Sequence, residues 1–433
     1  MKNYLSIIRI CTLILLISFI ESCNKGKKNN VQDEVTIKEV SAKDILGNPE
    51  YLAMSYGGYR HADHNIEPTL DELKEDMKIL SAMGIKFIRT YKLLKPQAAN
   101  LVKVISDMKK EDPNFEMYVM LGAWVDCKNS FDSGDGPPDH DQENEENPAE
   151  IARAVALANQ YPDIVKVIAV GNEAMVKWAT TYFVQPGVIL KWVNHLQALK
   201  KEGKLPEDLW ITSSDNFASW GGGGEEYHVE DLNNLIKAVD FISMHTYPMH
   251  DTHYQPEFWE EPFTKEDMTD LEKIDASMLR AKKYAIVQYE NVKKYMESLG
   301  VNKPIHIGET GWASFSSGQY GPTGAKACDE YKEALYYKHM RDWTNEAGMS
   351  CFYFEGFDEP WKGGENSGNS EKHFGLFKVD GKAKYAIWDL VDSGTFEGLT
   401  RNGNTITKTF NGDKDAMMET VLVPPTAELV EAE

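Results

Sequence analysis

Short apolar runs alternate along this chain with longer stretches in which apolar residues recur every three or four positions. The short runs are Tyr51–Tyr56, Phe87–Tyr91, Glu116–Ala123, Val165–Val170, Leu209–Ser213, Phe241–His245, Ile305–Gly308 and Ser350–Phe354. The longer stretches are 70–83, 96–110, 148–160, 186–201, 229–238, 277–299 and 324–347. The runs have the length of buried strands, and the three-to-four spacing marks amphipathic helices. Thr69, ahead of Asp71 and Glu72, reads as a helix start. Pro148 and Pro186 stand where a first helical turn accepts proline. Eight strands alternating with helices over roughly 350 residues predict an α/β chain folded as a (β/α)8 TIM barrel. An open doubly wound sheet would more often carry a glycine-rich phosphate turn after its first strand. Here Gly57-Gly58 is followed by Tyr59-Arg60-His61, which fits no such turn.

Several segments break the rhythm. Residues 132–147, DSGDGPPDHDQENEEN, predict a solvated acidic loop after the third strand; they lack the spacing of a calcium loop. Residues 363–372, GGENSGNSEK, predict a second, mobile loop after the eighth strand. The tail beyond about 390 is Thr-, Asn- and Gly-rich and then apolar, as a packed strand pair or an extension would be. At the start, Lys2 and Arg9 precede or open an apolar stretch from Ile10 to Ile20, followed by Ser22-Cys23. This is the layout of an export signal, and the stretch is short for a membrane span. The Ser-Cys junction and the polar 24–30 segment resemble a bacterial lipoprotein signal, which implies lipid attachment at Cys23. Asn24 after the cysteine implies the outer membrane. The expected divisions are a signal at 1–22, a tether at 23–45, a barrel at 46–395 and a C-terminal extension at 396–433.

A formal net charge of −22 repels phosphate backbones, so nucleic acid is not an expected partner. Aromatic content of 11%, with ten Trp and twenty Tyr, suits a carbohydrate groove as well as a large core. With Cys11 in the signal and Cys23 lipidated, only Cys127, Cys328 and Cys351 remain, too few for a disulfide framework.

In such a barrel the chemistry sits at the C-terminal ends of the strands. Strand four ends in Gly171-Asn172-Glu173, and strand seven in Gly308-Glu309-Thr310-Gly311-Trp312. These strands lie on roughly opposite sides of the barrel, so their carboxylates face each other across its mouth. Glycoside hydrolysis needs such a pair, and like charges ~5 Å apart push the two pKa values apart. The assignment is Glu173 as acid/base and Glu309 as nucleophile. The glycines around Glu309 are expected to let the strand turn sharply, and Trp312 to give a sugar ring a surface. The other ends contribute Tyr56, Arg89, Tyr91, Trp124, Asp215, Asn216, His245, Tyr247, Glu355, Asp358 and Trp361. A metal site in HTYPMHDTH, residues 245–253, is disfavoured: it contains Pro248 and lacks the helical H-E-x-x-H pair.

The motifs SYGGYR (55–60), IRTY (88–91), MLGAW (120–124), VGNE (170–173), HTYP (245–248), GETGWAS (308–314) and FDEPWK (357–362) run in order along the chain. In this they resemble glycoside hydrolase family 17, of the clan of (β/α)8 retaining glycosidases. The resemblance implies a β-1,3-glucan substrate such as laminarin, double displacement and no metal cofactor. It implies that Asn172 contacts the sugar 2-hydroxyl and that Tyr247 hydrogen-bonds the nucleophile. Tyr56, Tyr91, Asp215, Trp312, Glu355 and Trp361 complete the expected substrate-binding set. The alternatives are a β-1,3-glucanosyltransferase, or a non-catalytic glycan-binding lipoprotein on the same fold. Loops 132–147, 249–276 and 363–372 depart from compact members of the family and are expected to decorate the substrate face.

Overall fold

The computed structural model describes residues 40–132, 136–262 and 268–427. The export signal, Cys23 and most of the tether lie outside the described residues. Eight parallel strands close into one barrel: β1 (Leu52–Ser55), β2 (Ile85–Arg89), β3 (Tyr118–Ala123), β4 (Val165–Asn172), β5 (Trp210–Asn216), β6 (Ile242–His245), β7 (Ile305–Thr310) and β8 (Cys351–Tyr353). Met54 pairs with Tyr353 to join β8 to β1 and close the ring. The helices that follow the strands around the barrel are α1 (Leu70–Ala82), α2 (Gln97–Glu111), α3 (Asn147–Gln160), α4 (Pro186–Lys201), α5 (Glu230–Ala238), α6 (Asp270–Ser298), α7 (Glu330–Glu346) and, after β8, the short α8 (Trp388–Asp392); shorter helical turns lie at Ala42–Ile45, Pro248–Tyr254 and Lys414–Met418. No described helix is long and apolar enough to cross a membrane.

Local chemistry explains the boundaries. Thr69 caps α1: its hydroxyl accepts from the Glu72 amide, and the Glu72 carboxylate accepts from the Thr69 amide. The same Thr-x-x-Glu box at Thr269 and Glu272 starts α6 seven residues before the apolar periodicity becomes clear. Asp329 caps α7 through the Lys332 amide, so this helix begins at Glu330 and not at 324.

The barrel has two cores. Its lower interior is filled by Ala53, Phe87, Tyr118, Met120, Val167, Ala169, Phe241 and Phe352, with the short helix Ala42–Ile45 closing it from below. The larger core lies between strands and helices. The upper interior is polar, with Arg89, Ser214, Ser243 and His245 buried there.

The decorating segments are more structured than their composition predicts. In the acidic stretch, Asp139–Glu143 is a strand pairing antiparallel with Cys127–Lys128. Its Glu143 accepts the Trp192 indole N–H at 2.7 Å, so α4 fixes it. The 363–372 loop is held too: the Ser317 amide donates to Gly368 and Lys372 reaches the Pro360 carbonyl. The C-terminal segment is built into the domain, and no boundary at 395 separates it. Arg401, on the small hairpin Thr400–Arg401/Asn404–Thr405, donates to Asp76 of α1 at 2.9 and 3.1 Å. Arg60 and the Tyr56 hydroxyl converge on the same carboxylate.

Candidate active site

The strands that deliver Glu173 and Glu309 both break register just before these carboxylates. The β4–β5 pairing shifts between Ala169 and Asn172, and Gly171 there has φ +78°. A Cβ on Gly171 would come within 2.9 Å of the Ala174 Cβ. The bulge presents Asn172 at the mouth and puts Glu173 into left-handed backbone, φ +45°. Pairing on both flanks of β7 also shifts, between Ile307 and Glu309–Thr310. Gly308 does not have positive φ, so its role is not the sharp turn its motif implies. A Cβ there would lie 2.0 Å from the Ser243 Oγ and 2.7 Å from the Ser214 Oγ. Glycine leaves room inside the barrel for those hydroxyls.

Glu309 is gripped from three sides. The Arg89 guanidinium donates to Oε2, the Tyr91 hydroxyl to the same oxygen at 2.8 Å, and the Tyr247 hydroxyl to Oε1 at 2.6 Å. Burial alone would raise this carboxyl, but the Arg89 charge, then His245 and the tyrosine hydroxyls, hold it well below the ordinary range. Arg89 also donates to the Asn172 Oδ1 at 2.5 Å. That contact uses the amide oxygen and leaves the Asn172 NH2 to face the mouth as a donor.

Glu173 is placed differently. Its Oε1 lies 3.0 Å from the His245 Nδ1, and the His245 Nε2 lies 2.8 Å from the Ser214 hydroxyl, itself 2.8 Å from that of Ser243. Imidazole and hydroxyls can each donate or accept, so this chain suits Glu173 as acid or as carboxylate.

Two carboxylates at one barrel mouth, one of them held ionised, are the equipment of glycosidic bond cleavage. Residues 53–375 match the model of the BtgE/BtgC glycoside hydrolase domain. The chain belongs to this family. The crystal structure of an endo-laminarinase from Formosa Hel1_33_131 is 64% identical, with a TM-score of 0.89 over 91% of this chain and 100% of that one. A glucan 1,3-beta-glucosidase of Arthroderma benhamiae is 24% identical over 321 residues, 72% of this chain and 83% of that protein. The glycoside hydrolase family 17 β-1,3-glucanosyltransferase of Rhizomucor miehei shares the fold, at 19% identity and TM-score 0.51 over 78% of this chain and 96% of that one.

Not every residue expected in the substrate groove of this glycoside hydrolase lines it. Tyr91, Asn172 and Tyr247 gather around the two carboxylates. Trp312 is fully buried, its indole N–H donating to the Ala327 carbonyl at 2.8 Å and its ring packed on Trp259 and Tyr336. It offers no face to a sugar. Tyr56 is equally buried, bonded to Asp76 behind the barrel wall. Asp215 is buried beneath the loop that follows β4 and accepts from the Met175 amide at 2.8 Å and the Ser219 hydroxyl at 2.6 Å. Burial pushes this carboxyl up to about 6 against those hydrogen bonds. Its place makes it a brace for residues 173–175 and not a substrate contact. Glu355 is buried with both oxygens within 3.0 Å of the Lys362 Nζ; burial, opposed by Lys362, raises its pKa. Trp361 is half-exposed and stacks flat on His64, with centroids 3.7 Å apart.

Arg89 and His245 are first-rank members of the site. Their signal in the sequence was a charged or titratable residue inside an otherwise apolar strand, IRTY and ISMH. His250 pairs with Glu371 and His253 packs beside Tyr254. Among the described residues no group of three or more His, Cys, Asp or Glu is arranged to hold a metal ion.

Proposed function

We propose that this protein is a retaining endo-acting β-1,3-glucan hydrolase of the laminarinase type. The observation that carries the reading is the unequal carboxylate pair: Glu309 clamped by Arg89, Tyr91 and Tyr247, and Glu173 tied to a titratable histidine. The 64% identity to an endo-laminarinase supports the substrate and the internal mode of attack. In the first step Glu309 attacks the anomeric carbon while Glu173 gives its proton to the departing glycosidic oxygen. In the second, Glu173 takes a proton from water, which releases the sugar from Glu309 with its β-configuration restored. Asn172, oriented by Arg89, donates to the 2-hydroxyl of the sugar under attack. In this reading Lys362, held by the buried Glu355, and the partly exposed Trp361 serve as further substrate contacts.

The test is the domain from residue 40 on laminarin, with product size and anomeric form followed by chromatography and NMR. Short β-configured glucans released from within the chain are expected. α-Configured first products would overturn retention, glucose alone would overturn endo action, and products longer than the substrate would make the protein a transferase. The N-terminal sequence supports a second proposal: that Cys23 is acylated and holds the protein at the outer membrane. Envelope fractionation checks it; Cys23→Ser should move the protein out of the membrane fraction, and an unchanged distribution sinks the idea.

A further inference from the structure

The insertion after β3 does more than border the mouth: it grips the loop that carries the acid/base. The Phe131 amide donates to the Thr181 carbonyl at 2.8 Å, and the Cys127 amide to the Tyr182 carbonyl at 3.1 Å. His140 stacks on Phe183, centroids 3.6 Å apart, and its Nδ1 donates to the Phe183 carbonyl. Out of this joint rises a cluster of three rings. Trp124 lies 5.5 Å from Tyr182 and 6.4 Å from Phe131, and Tyr182 stacks on Phe131 at 5.2 Å and 24°. Two residues beyond Tyr182, the Val184 amide donates to the carbonyl of Ala174, the residue after Glu173, at 2.7 Å, so the cluster stands beside Glu173. Burial, then the charges of Glu173, Asp215 and Glu309, raise the Tyr182 hydroxyl well above its ordinary value.

Phe131 is the unusual member. It has left-handed backbone, φ 54° and ψ 33°, which is sterically disfavoured for a bulky side chain. It is 54% exposed, so core packing does not offset that conformation. The fold holds an aromatic side chain in solvent, packed beside two others.

The acid/base must touch the oxygen of the departing sugar, while the nucleophile attacks from the other side of that bond. The half of the substrate that leaves therefore lies toward Glu173, where the ring cluster stands. We propose that Phe131, Tyr182 and Trp124 form a stacking platform for the leaving half of a β-glucan chain, with Phe131 as its outermost contact. This rests on the hydrolase reading above. Pyranose rings carry C–H groups on their faces, and an aromatic face binds them without specifying hydroxyl pattern. The same platform holds an acceptor sugar when one replaces water, so it also sets how much of the covalent intermediate is transferred.

The experiment compares wild type, Phe131→Ala and Phe131→Trp on laminarihexaose and on 4-nitrophenyl β-laminaritrioside, whose leaving group is not a sugar. Phe131→Ala is expected to lose about five- to tenfold in kcat/KM on the hexaose, the scale of one aromatic contact, and distinctly less on the aryl substrate. Phe131→Trp should recover the hexaose rate, and the alanine variant should give less transfer product at high oligosaccharide concentration. Equal losses on both substrates, or no loss on the hexaose, would overturn the platform. A wild type inactive on both substrates would overturn the hydrolase reading, and the platform with it. Melting temperatures of the three proteins, equal within a few degrees, exclude a folding defect as the cause.

Discussion

The two carboxylates of the mouth sit in opposite kinds of environment. The Glu309 side chain is 9% exposed and fixed by a guanidinium and two phenols, none of which gives up a proton at ordinary pH. The Glu173 side chain is 26% exposed, and its partner is the His245 imidazole, whose Nδ1 lies 3.0 Å away. In the proposed mechanism the nucleophile must remain ionised, and Glu309 is surrounded by permanent donors. The proposed acid/base, Glu173, is given more solvent and an imidazole partner. Burial and hydrogen bonding thus make two chemically identical side chains unequal.

The comparison breaks most visibly at Glu309. Glu309→Gln keeps the shape and is expected to lower kcat on laminarin by about four orders of magnitude or more, with oligosaccharide affinity by calorimetry within several-fold of wild type. Near wild-type turnover would remove Glu309 from its role. Glu173→Ala should cost roughly 10²- to 10⁴-fold on laminarin but far less on a dinitrophenyl glycoside, whose leaving group needs no proton. Azide should restore turnover and yield a β-glycosyl azide; an α-azide would mean that Glu173 is not the acid/base of a retaining enzyme.

Smaller changes sharpen the contrast. Tyr247→Phe removes one donor from a carboxylate whose pKa is depressed. That pKa should then rise, so the acid limb of the kcat/KM profile moves to higher pH, with a loss of about ten- to hundredfold at neutral pH. An acid limb that stays in place would separate Tyr247 from the ionisation of Glu309. His245→Gln keeps a hydrogen-bond donor but not a titratable one. It should cost about tenfold on laminarin and less on the dinitrophenyl glycoside, because it acts through Glu173. Equal losses on the two would show that His245 only supports the barrel interior.

The barrel and its carboxylate pair were legible because strand ends announce themselves: an apolar run stops and a Gly-Glu or Gly-Asn-Glu follows. What the motifs did not convey was the side of the wall on which each neighbour falls. Ala53 lies in the barrel interior, whereas Met54 and Tyr56 pack with the helix layer, as alternation along a strand requires. Ser214 faces inward to His245, so Asp215 must face outward to Ser219. Thr310 bonds Tyr336 on α7, and Trp312, two residues on, packs against the same tyrosine. Counting by twos from Arg89 and His245 keeps Tyr91 and Tyr247, and counting from Ala53 and Ser214 sets Tyr56 and Asp215 aside. The bulges before Asn172 and Glu309 were harder to read, since each shifts the count by one. The order of the acidic stretch was hidden for another reason: its strand is fixed by α4 and by the loop after β4, contacts that its own composition does not encode.

The Asp76 knot has a consequence for the order in which the molecule can be completed. One of its cations, Arg60, is a near neighbour in the chain, and the other, Arg401, arrives 325 residues later. A growing chain can therefore satisfy half of this carboxylate early, but it finishes the wall behind β1 and α1 only when almost the whole protein has been made. Pairings this distant slow folding. They also act as a proofreading step, because a chain that stops before Arg401 keeps a buried acid without its last counter-charge.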